Sequence, residues 1–327
     1  MKGFRNIMYH ITALGELLID FTECGISNGG MKLFEQNPGG AVANVLAAMA
    51  RLGERTAFIG KVGNDMHGRF LKETLENAGI NTTGLVMSND FFTTLAFVAL
   101  SVNGERTFSF ARKPGADTQL NAEEVDESIL ESTGIFHVGS LSLTDEPARS
   151  ATHHAVKTAK ARGAVISYDP NYRASLWKDE AVAKERMREL LSFVDIVKLA
   201  DEETTLLTDE PAPEQAAKKL NDRGIPCVVV TLGKKGALVS VNGENTIIPG
   251  YPHPAIDTTG AGDAFWGGFL HRMLTLNKRP DQLTMKEAAD CAGWGNAVAT
   301  CCVQKRGAIP AMPSLDEVKK FMREHER

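Results

Sequence analysis

The sequence predicts an α/β fold: a central, mostly parallel sheet with helices on both faces, plus a small separate β-sheet. Three observations predict it. From residue 135 onward, strand-sized apolar runs alternate with helical patterns, as a parallel sheet with crossover helices requires. Residues 94–111 hold two β-rich runs joined by Asn103-Gly104, a strong hairpin signal that falls outside that alternation. No Pro- or Ser-rich linker and no internal repeat divides the 327 residues, so one domain spanning 1–327 is expected.

In chain order, residues 10–21 (HITALGELLIDF) read as the first strand, followed by a polar, Gly-rich stretch. In 38–53, Val42, Val45, Leu46, Met49 and Leu52 share one helical face at the 3.6-residue period. Asn44 lies on roughly the opposite face, in the first turn after Gly39-Gly40, turned away from that stripe. The runs 135–141, 164–171, 195–200 and 227–233 read as strands, and 237–248 as a second Asn-Gly hairpin. Helices are expected at about 145–162, 179–192, 212–223, 260–275, 285–302 and 314–326. Segments 20–37 and 91–112 are left over and form the small sheet.

Composition narrows the function. With 36 Lys and Arg against 41 Asp and Glu, the net charge is −5, which gives no support to a nucleic-acid or anionic-membrane surface. The five cysteines are odd in number and contain no C-x-x-C pair, so free thiols in a reducing compartment are expected. The N-terminal MKGFRNIMYH lacks the apolar run of a signal peptide. Apolar stretches elsewhere fall far short of a membrane span. A cytoplasmic location follows as the expectation.

Chemistry is concentrated at 257–269, DTTGAGDAFWGGF. Gly260, Ala261, Gly262 and Asp263 fall in the first turn of the helix predicted from 260. Its unsatisfied N–H groups carry the positive end of the macrodipole, and small side chains let a phosphate reach the backbone. A carboxylate at Asp263, beside such an anion hole, is placed to take a proton from a hydroxyl attacking phosphorus. A helix cap with glycines for close packing would use the same residues. Neither G-x-x-x-x-G-K-[ST] nor an early G-x-G-x-x-G is present, so a phosphoryl-transfer site here is of another design and a dinucleotide enzyme is disfavoured.

PGGAVAN (38–44), ARLG with FIGKVGNDMHGRFL (within 50–71) and DTTGAGDAFWGGF closely resemble the signature stretches of the ribokinase-like, or PfkB, carbohydrate kinases. The resemblance runs from GELLID (15–20) to KRGAIPAMP (305–313). Within the family, 111–120, 169–177 and 197–203 are most similar to fructokinases. It implies a ribokinase-like fold in which the small sheet, segments 20–37 and 91–112, is a lid. Asp20, ending the first strand, matches the carboxylate that accepts two sugar hydroxyls, a fitting pair of acceptors for vicinal donors. Gly39, Gly40 and Asn44 match the sugar-contacting turn, and Arg112 is expected at the sugar or its incoming phosphate.

On the other substrate, Asp169, Asn171 and Arg173 match a strand-end loop facing phosphates and Mg2+, with Arg173 as a charge clamp. Lys198 lies in the strand before Glu203, which matches a Glu that organises Mg2+ through water; the usual Asn partner is here Ala200. Thr231, Gly233 and Gly236 match a stretch lining the nucleotide, and Asn296 a residue near adenine. Asp257 and Thr259 match positions that hold a monovalent cation in many members, so K+ joins ATP and Mg2+ as an expected ligand.

The resemblance thus implies an ATP-dependent sugar kinase, fructose to fructose 6-phosphate, with no nucleic-acid or membrane partner; the lid is a candidate homodimer surface, and the oligomeric state stays open. In the same chemistry stand 2-keto-3-deoxygluconate kinase, ribokinase and aminoimidazole riboside kinase. Outside it stands a non-catalytic sugar- or nucleotide-sensing module.

Overall fold

The computed structural model describes residues 7–100 and 106–325. Its strands, in chain order, are β1 (Tyr9–Leu14), β2 (Leu18–Ile26), β3 (Lys32–Gly39), β4 (Thr56–Gly63), β5 (Ile80–Ser88), β6 (Leu95–Leu100), β7 (Arg106–Ala111), β8 (Thr133–Val138), β9 (Val165–Tyr168), β10 (Ile196–Ala200), β11 (Cys227–Thr231), β12 (Ala237–Val241) and β13 (Glu244–Ile248). Nine of them form one sheet in the order β13-β12-β11-β10-β9-β8-β1-β4-β5. From β11 through β5 all pairs are parallel, and the β12–β13 hairpin closes one edge antiparallel. The other four form a separate sheet, β3-β2-β6-β7.

Both leftover segments therefore lie where the sequence places them. The expected single strand over 10–21 does not: residues 15–17 bend, sending β1 into the large sheet and β2 into the small one. Asp20 consequently sits within β2, paired with Asn37 of β3 and Ala96 of β6, rather than at the end of the first strand. The Asn103-Gly104 turn lies outside the described residues. The second hairpin is present, with Asn242 and Gly243 at φ 51° and 90°, as a tight primed turn requires. Strands β4 and β5 and the helix Met66–Asn77 between them extend the parallel sheet and had no assignment from sequence.

Chain order reverses at β1. The path runs outward through β4 and β5, then returns to β8 on β1's other side. Such a reversal leaves a crevice at the carboxyl ends of the strands, where helices diverge to opposite faces.

Packing explains the helix Ala41–Arg51, which is buried nearly all round from Val42 through Met49, Asn44 included. The one-faced pattern expected from sequence is overridden because the helix is sandwiched between the sheet and the helix Ala261–Thr275. A Cβ at Gly267 would fall 2.6 Å from Ala48 Cβ, so the two backbones touch. The same helix buries Trp266, whose indole N–H donates to Ser167 Oγ at 2.9 Å. Placing the glycine-rich helix this tightly fixes its first turn against the crevice. Substituting Gly267→Val should therefore lower unfolding stability by about 1–3 kcal/mol through overpacking, measured by urea denaturation.

Candidate active site

A cleft of about 410 Å3 opens at the reversal point. Its walls come from the ends of parallel strands (Glu16, Asn171, Ala200, Thr231), from the small sheet (Asp20, Thr22, Glu35, Asn37, Val98, Phe110) and from the turn 257–263. Sequence distance is large but spatial distance is short, because each wall is a strand end or a helix start.

The small-sheet side is built on two glycines. A Cβ at Gly39 would lie 2.4 Å from Asp20 Oδ2, and one at Gly40 (φ 131°) 2.4 Å from the Glu16 carbonyl oxygen. Only a backbone without side chains can pass between these groups. It then starts the helix that carries Asn44 into the cleft.

At the opposite wall, Gly260 adopts φ 73° and caps the helix Ala261–Thr275; a Cβ there would meet Ala308 Cβ at 2.7 Å. Ala264 N–H donates to the Gly260 carbonyl at 2.8 Å, the first bond of the helix. The amides of Gly262 and Asp263 precede it and have no carbonyl within the helix. Ala261 N–H instead donates to Thr258 O at 3.2 Å, so the anion hole is narrower than the expected run from Gly260 to Asp263.

Asp263 is buried and doubly held. Asn44 Nδ2 donates to its Oδ2 at 2.8 Å and Asn171 Nδ2 to its Oδ1 at 3.1 Å. Asn171 can do so because it takes a left-handed backbone, φ 48°, which Asn tolerates. Burial, reinforced by Asp169, pushes the Asp263 carboxyl up to about 6, against the pull of Lys198, Asn44 and Arg173. The fold prefers the acid form, whose stabilising contribution is full below the ordinary value of 3.8 and is lost as pH rises through about 6. The basic form exists above that point.

Behind it lies a charged cluster. Lys198 Nζ donates to Asp169 Oδ2 at 2.9 Å, both residues being buried. Burial alone would lower Lys198, but Asp169, Glu203 and Asp263 together hold it above its ordinary value. Glu203 accepts Tyr172 N–H at 2.6 Å and Ala200 N–H at 2.8 Å, and burial, then Asp169, raises it. Where the resemblance implies an Asn, the main chain of Ala200 thus fixes Glu203, so the missing side chain does not release it.

This donor set fits a divalent cation held through water. Asp169 Oδ1 is buried without a hydrogen-bond partner, and each Glu203 oxygen keeps a second lone pair. Among the described residues no three His, Cys, Asp or Glu converge to hold an ion by themselves. Mg2+, which keeps several waters and leans on substrate phosphates, does not need such a cage.

Several expected site residues lie elsewhere. Arg112 is buried and absent from the cleft wall. Its guanidinium donates to Asp117 Oδ2 at 2.8 Å, Thr144 Oγ1 at 2.8 Å and Leu141 O at 2.9 Å. The cation read as a substrate contact is a buried brace, because Asp117, five residues on, captures it. Asn296 is likewise turned to the Ile248 and Pro249 carbonyls, 3.2 Å each, and does not line the cleft. Gly233 and Gly236 shape the turn after β11 outside it, although Thr231 is a wall residue.

Arg173 is exposed at the cleft, its Nη1 donating to Tyr172 O at 3.0 Å. Asp257 accepts Thr259 N–H and Oγ1–H at 2.9 and 2.7 Å and Gly307 N–H at 3.0 Å. It ties the turn before the helix to the loop that backs Gly260. Sequence reasoning missed Glu16, Asn37 and Arg306 as wall residues. The first was visible only as part of GELLID.

A buried carboxylate beside bare helix amides, with an exposed arginine at the mouth and an acidic cluster that fits a hydrated cation, matches the chemistry of a phosphotransferase acting on a hydroxyl. The chain belongs to the pfkB family carbohydrate kinases, whose family model matches residues 8–315. It is 39% identical over 321 residues to a probable fructokinase-5 of Arabidopsis thaliana, covering 96% of this chain and 97% of that one. It is also 39% identical over 316 residues to fructokinase-1 of Oryza sativa subsp. japonica, covering 95% and 97%. A crystal structure of a fructokinase from Xylella fastidiosa with bound ATP superposes with a TM-score of 0.90 at 32% identity, covering 97% of this chain and 99% of that one. A Vibrio cholerae O395 fructokinase with bound fructose, ADP and calcium gives 0.85 at 34%, covering 96% and 99%.

Two outcomes follow from the Asp263 geometry. Asp263→Asn should lower kcat by about 10²-fold or more, the scale of general-base loss, while calorimetric sugar binding is retained. In the unaltered protein kcat should fall as pH drops through about 6, as an initial-rate pH profile reads directly.

Proposed function

We propose that the chain is an ATP-dependent fructose kinase forming fructose 6-phosphate. The single observation that carries this reading is Asp263, held by Asn44 from the sugar wall and by Asn171 from the strand-end loop, at the start of the bare helix turn. Fructose lies against the small sheet, its hydroxyls donating to Asp20 and to Asn44 Oδ1, which is buried without a partner. The primary hydroxyl donates its proton to Asp263 as its oxygen bonds to the γ-phosphorus of ATP, and the bond from that phosphorus to the β-phosphate oxygen breaks to release ADP.

Charge on the transferred group meets the Gly262 and Asp263 amides and Arg173. Asp169 and Glu203 would hold Mg2+ through water, and the ion would neutralise phosphate charge. Asp257 and Thr259 would hold K+. The nucleotide extends past Lys198 toward Thr231. The small sheet, segments 20–37 and 91–112, acts as a lid that excludes water, a competing nucleophile.

The keto-acid alternative needs a cation for the sugar's carboxylate, for which Arg112 or Arg106 is expected, and of these Arg112 is committed to Asp117. Retention of Asp263 and both its amide partners speaks against a silent sensor. Ile26, Leu33, Phe34 and Phe97 leave apolar surface on the small sheet, which supports a homodimer through it. Five free thiols support a reducing, cytoplasmic setting. No helix among the described residues is long and apolar enough to cross a membrane.

The test is ADP release with ATP and Mg2+ over fructose, ribose, 2-keto-3-deoxygluconate and aminoimidazole riboside. Fructose should give the highest kcat/KM; another sugar in first place, or no ADP with any, overturns the reading. Asp20→Ala should raise the fructose KM about tenfold or more, since a charged acceptor is lost, with kcat changed less.

A further inference from the structure

We propose that Glu16 is a further substrate-binding residue, whose Oε2 accepts a hydrogen bond from a hydroxyl of the bound sugar. The assignment rests on the sugar-kinase reading above and deepens it. Glu16 stands in the bend between β1 and β2, 2% exposed, and lines the cleft. Its Oε1 accepts Ala41 N–H at 2.7 Å, which fixes the side chain across the head of the helix Ala41–Arg51. That contact needs one oxygen. The other, Oε2, is buried with no hydrogen-bond partner.

A buried carboxylate oxygen without a donor is costly. The neighbouring cation does not relieve it: Arg112 directs its donors to Asp117, Thr144 and Leu141. Asn44 Oδ1 on the same cleft wall is also a buried acceptor without a partner. Glu16, Asn44 and Asp20 together present acceptors, which suits a neutral polyhydroxylated ligand and disfavours an anionic one.

Ionisation follows the same logic. The charged groups facing Glu16 are Arg112 and Asp117 from the segment after β7, and the helix head offers it the Ala41 amide. Burial dominates these, pushing the carboxyl up to about 7 against its own backbone amide and that of Ala41, with Asp117 adding to the rise and Arg112 opposing it. A sugar hydroxyl favours the ionised form, so binding near neutral pH releases a proton to solvent.

Glu16→Gln is the test, because the amide keeps an oxygen for Ala41 N–H and places an NH2 where the sugar donor must approach. Sugar affinity, measured by calorimetry without nucleotide at pH 8, should weaken about tenfold or more, the scale of a hydrogen bond to a charged acceptor. The ATP KM and the kcat at saturating sugar should stay within about twofold. Wild-type affinity should weaken from pH 8 to pH 5.5 as Glu16 takes up its proton, and the variant should keep only the part that Asp263 adds as it protonates at about 6.

A variant binding sugar within twofold of wild type, or with an unchanged pH dependence, overturns the proposal. So does one that melts several degrees lower yet binds normally, which marks Glu16 as a brace for the helix head only. Wild-type protein that releases ADP with another sugar of the panel overturns the fructose reading alone, and the binding comparison is then made with that sugar.

Discussion

Asn44 and Asn171 each give an amide hydrogen to a different oxygen of Asp263, and this three-residue join holds the cleft together. One partner comes from the helix that follows the small sheet, the other from the loop after β9, and the acid from the helix near the end of the chain. A buried carboxylate must be paired or become protonated. Neutral amides do part of that work without supplying a full positive charge, which would hold the carboxyl low and make it a poorer base. Small residues around Asp263 follow from the same need: phosphate, sugar and two amides must all reach one place.

Charge is distributed by depth. Lys198, buried near Asp263, is bound to Asp169, so it moderates the field without forming an ion pair with Asp263. Arg173 stays exposed near the mouth, where a phosphate can meet it. Arg112 is sealed away with Asp117 beneath the small sheet. Lys198, Arg173 and Arg112 thus sit in three different electrostatic settings, two of them fixed by a buried carboxylate.

Much of this was legible in the residues. Alternating strands and helices give the parallel sheet, and Asn242-Gly243 marks the β12–β13 hairpin. The glycine-rich segment announces a helix start meant for a ligand, and Asn44's position on its helix points it correctly. What was hidden depends on contacts between distant segments. Residues 15–17 carry no strong turn signal, so β1 and β2 read as one strand. Arg112 looks like a free cation until the chain brings Thr144 and Leu141 against it, and Asn296 looks available until the carbonyls at the end of β13 take its amide. Glu16 is an unremarkable acid in an apolar run, and only its packing leaves an oxygen stranded.

The small sheet is assembled from two excursions of the chain, one between β1 and the helix Ala41–Arg51 and one between β5 and β8. Both depart from and return to the rigid parallel frame at fixed points. Asp20, Asn37 and Phe110 travel with those excursions, whereas Asp263, Lys198, Asp169 and Glu203 belong to the frame. Changes confined to the two excursions therefore remodel the side of the cleft that carries Asp20, Asn37 and Phe110 and leave the side that carries Asp263, Lys198, Asp169 and Glu203 in place.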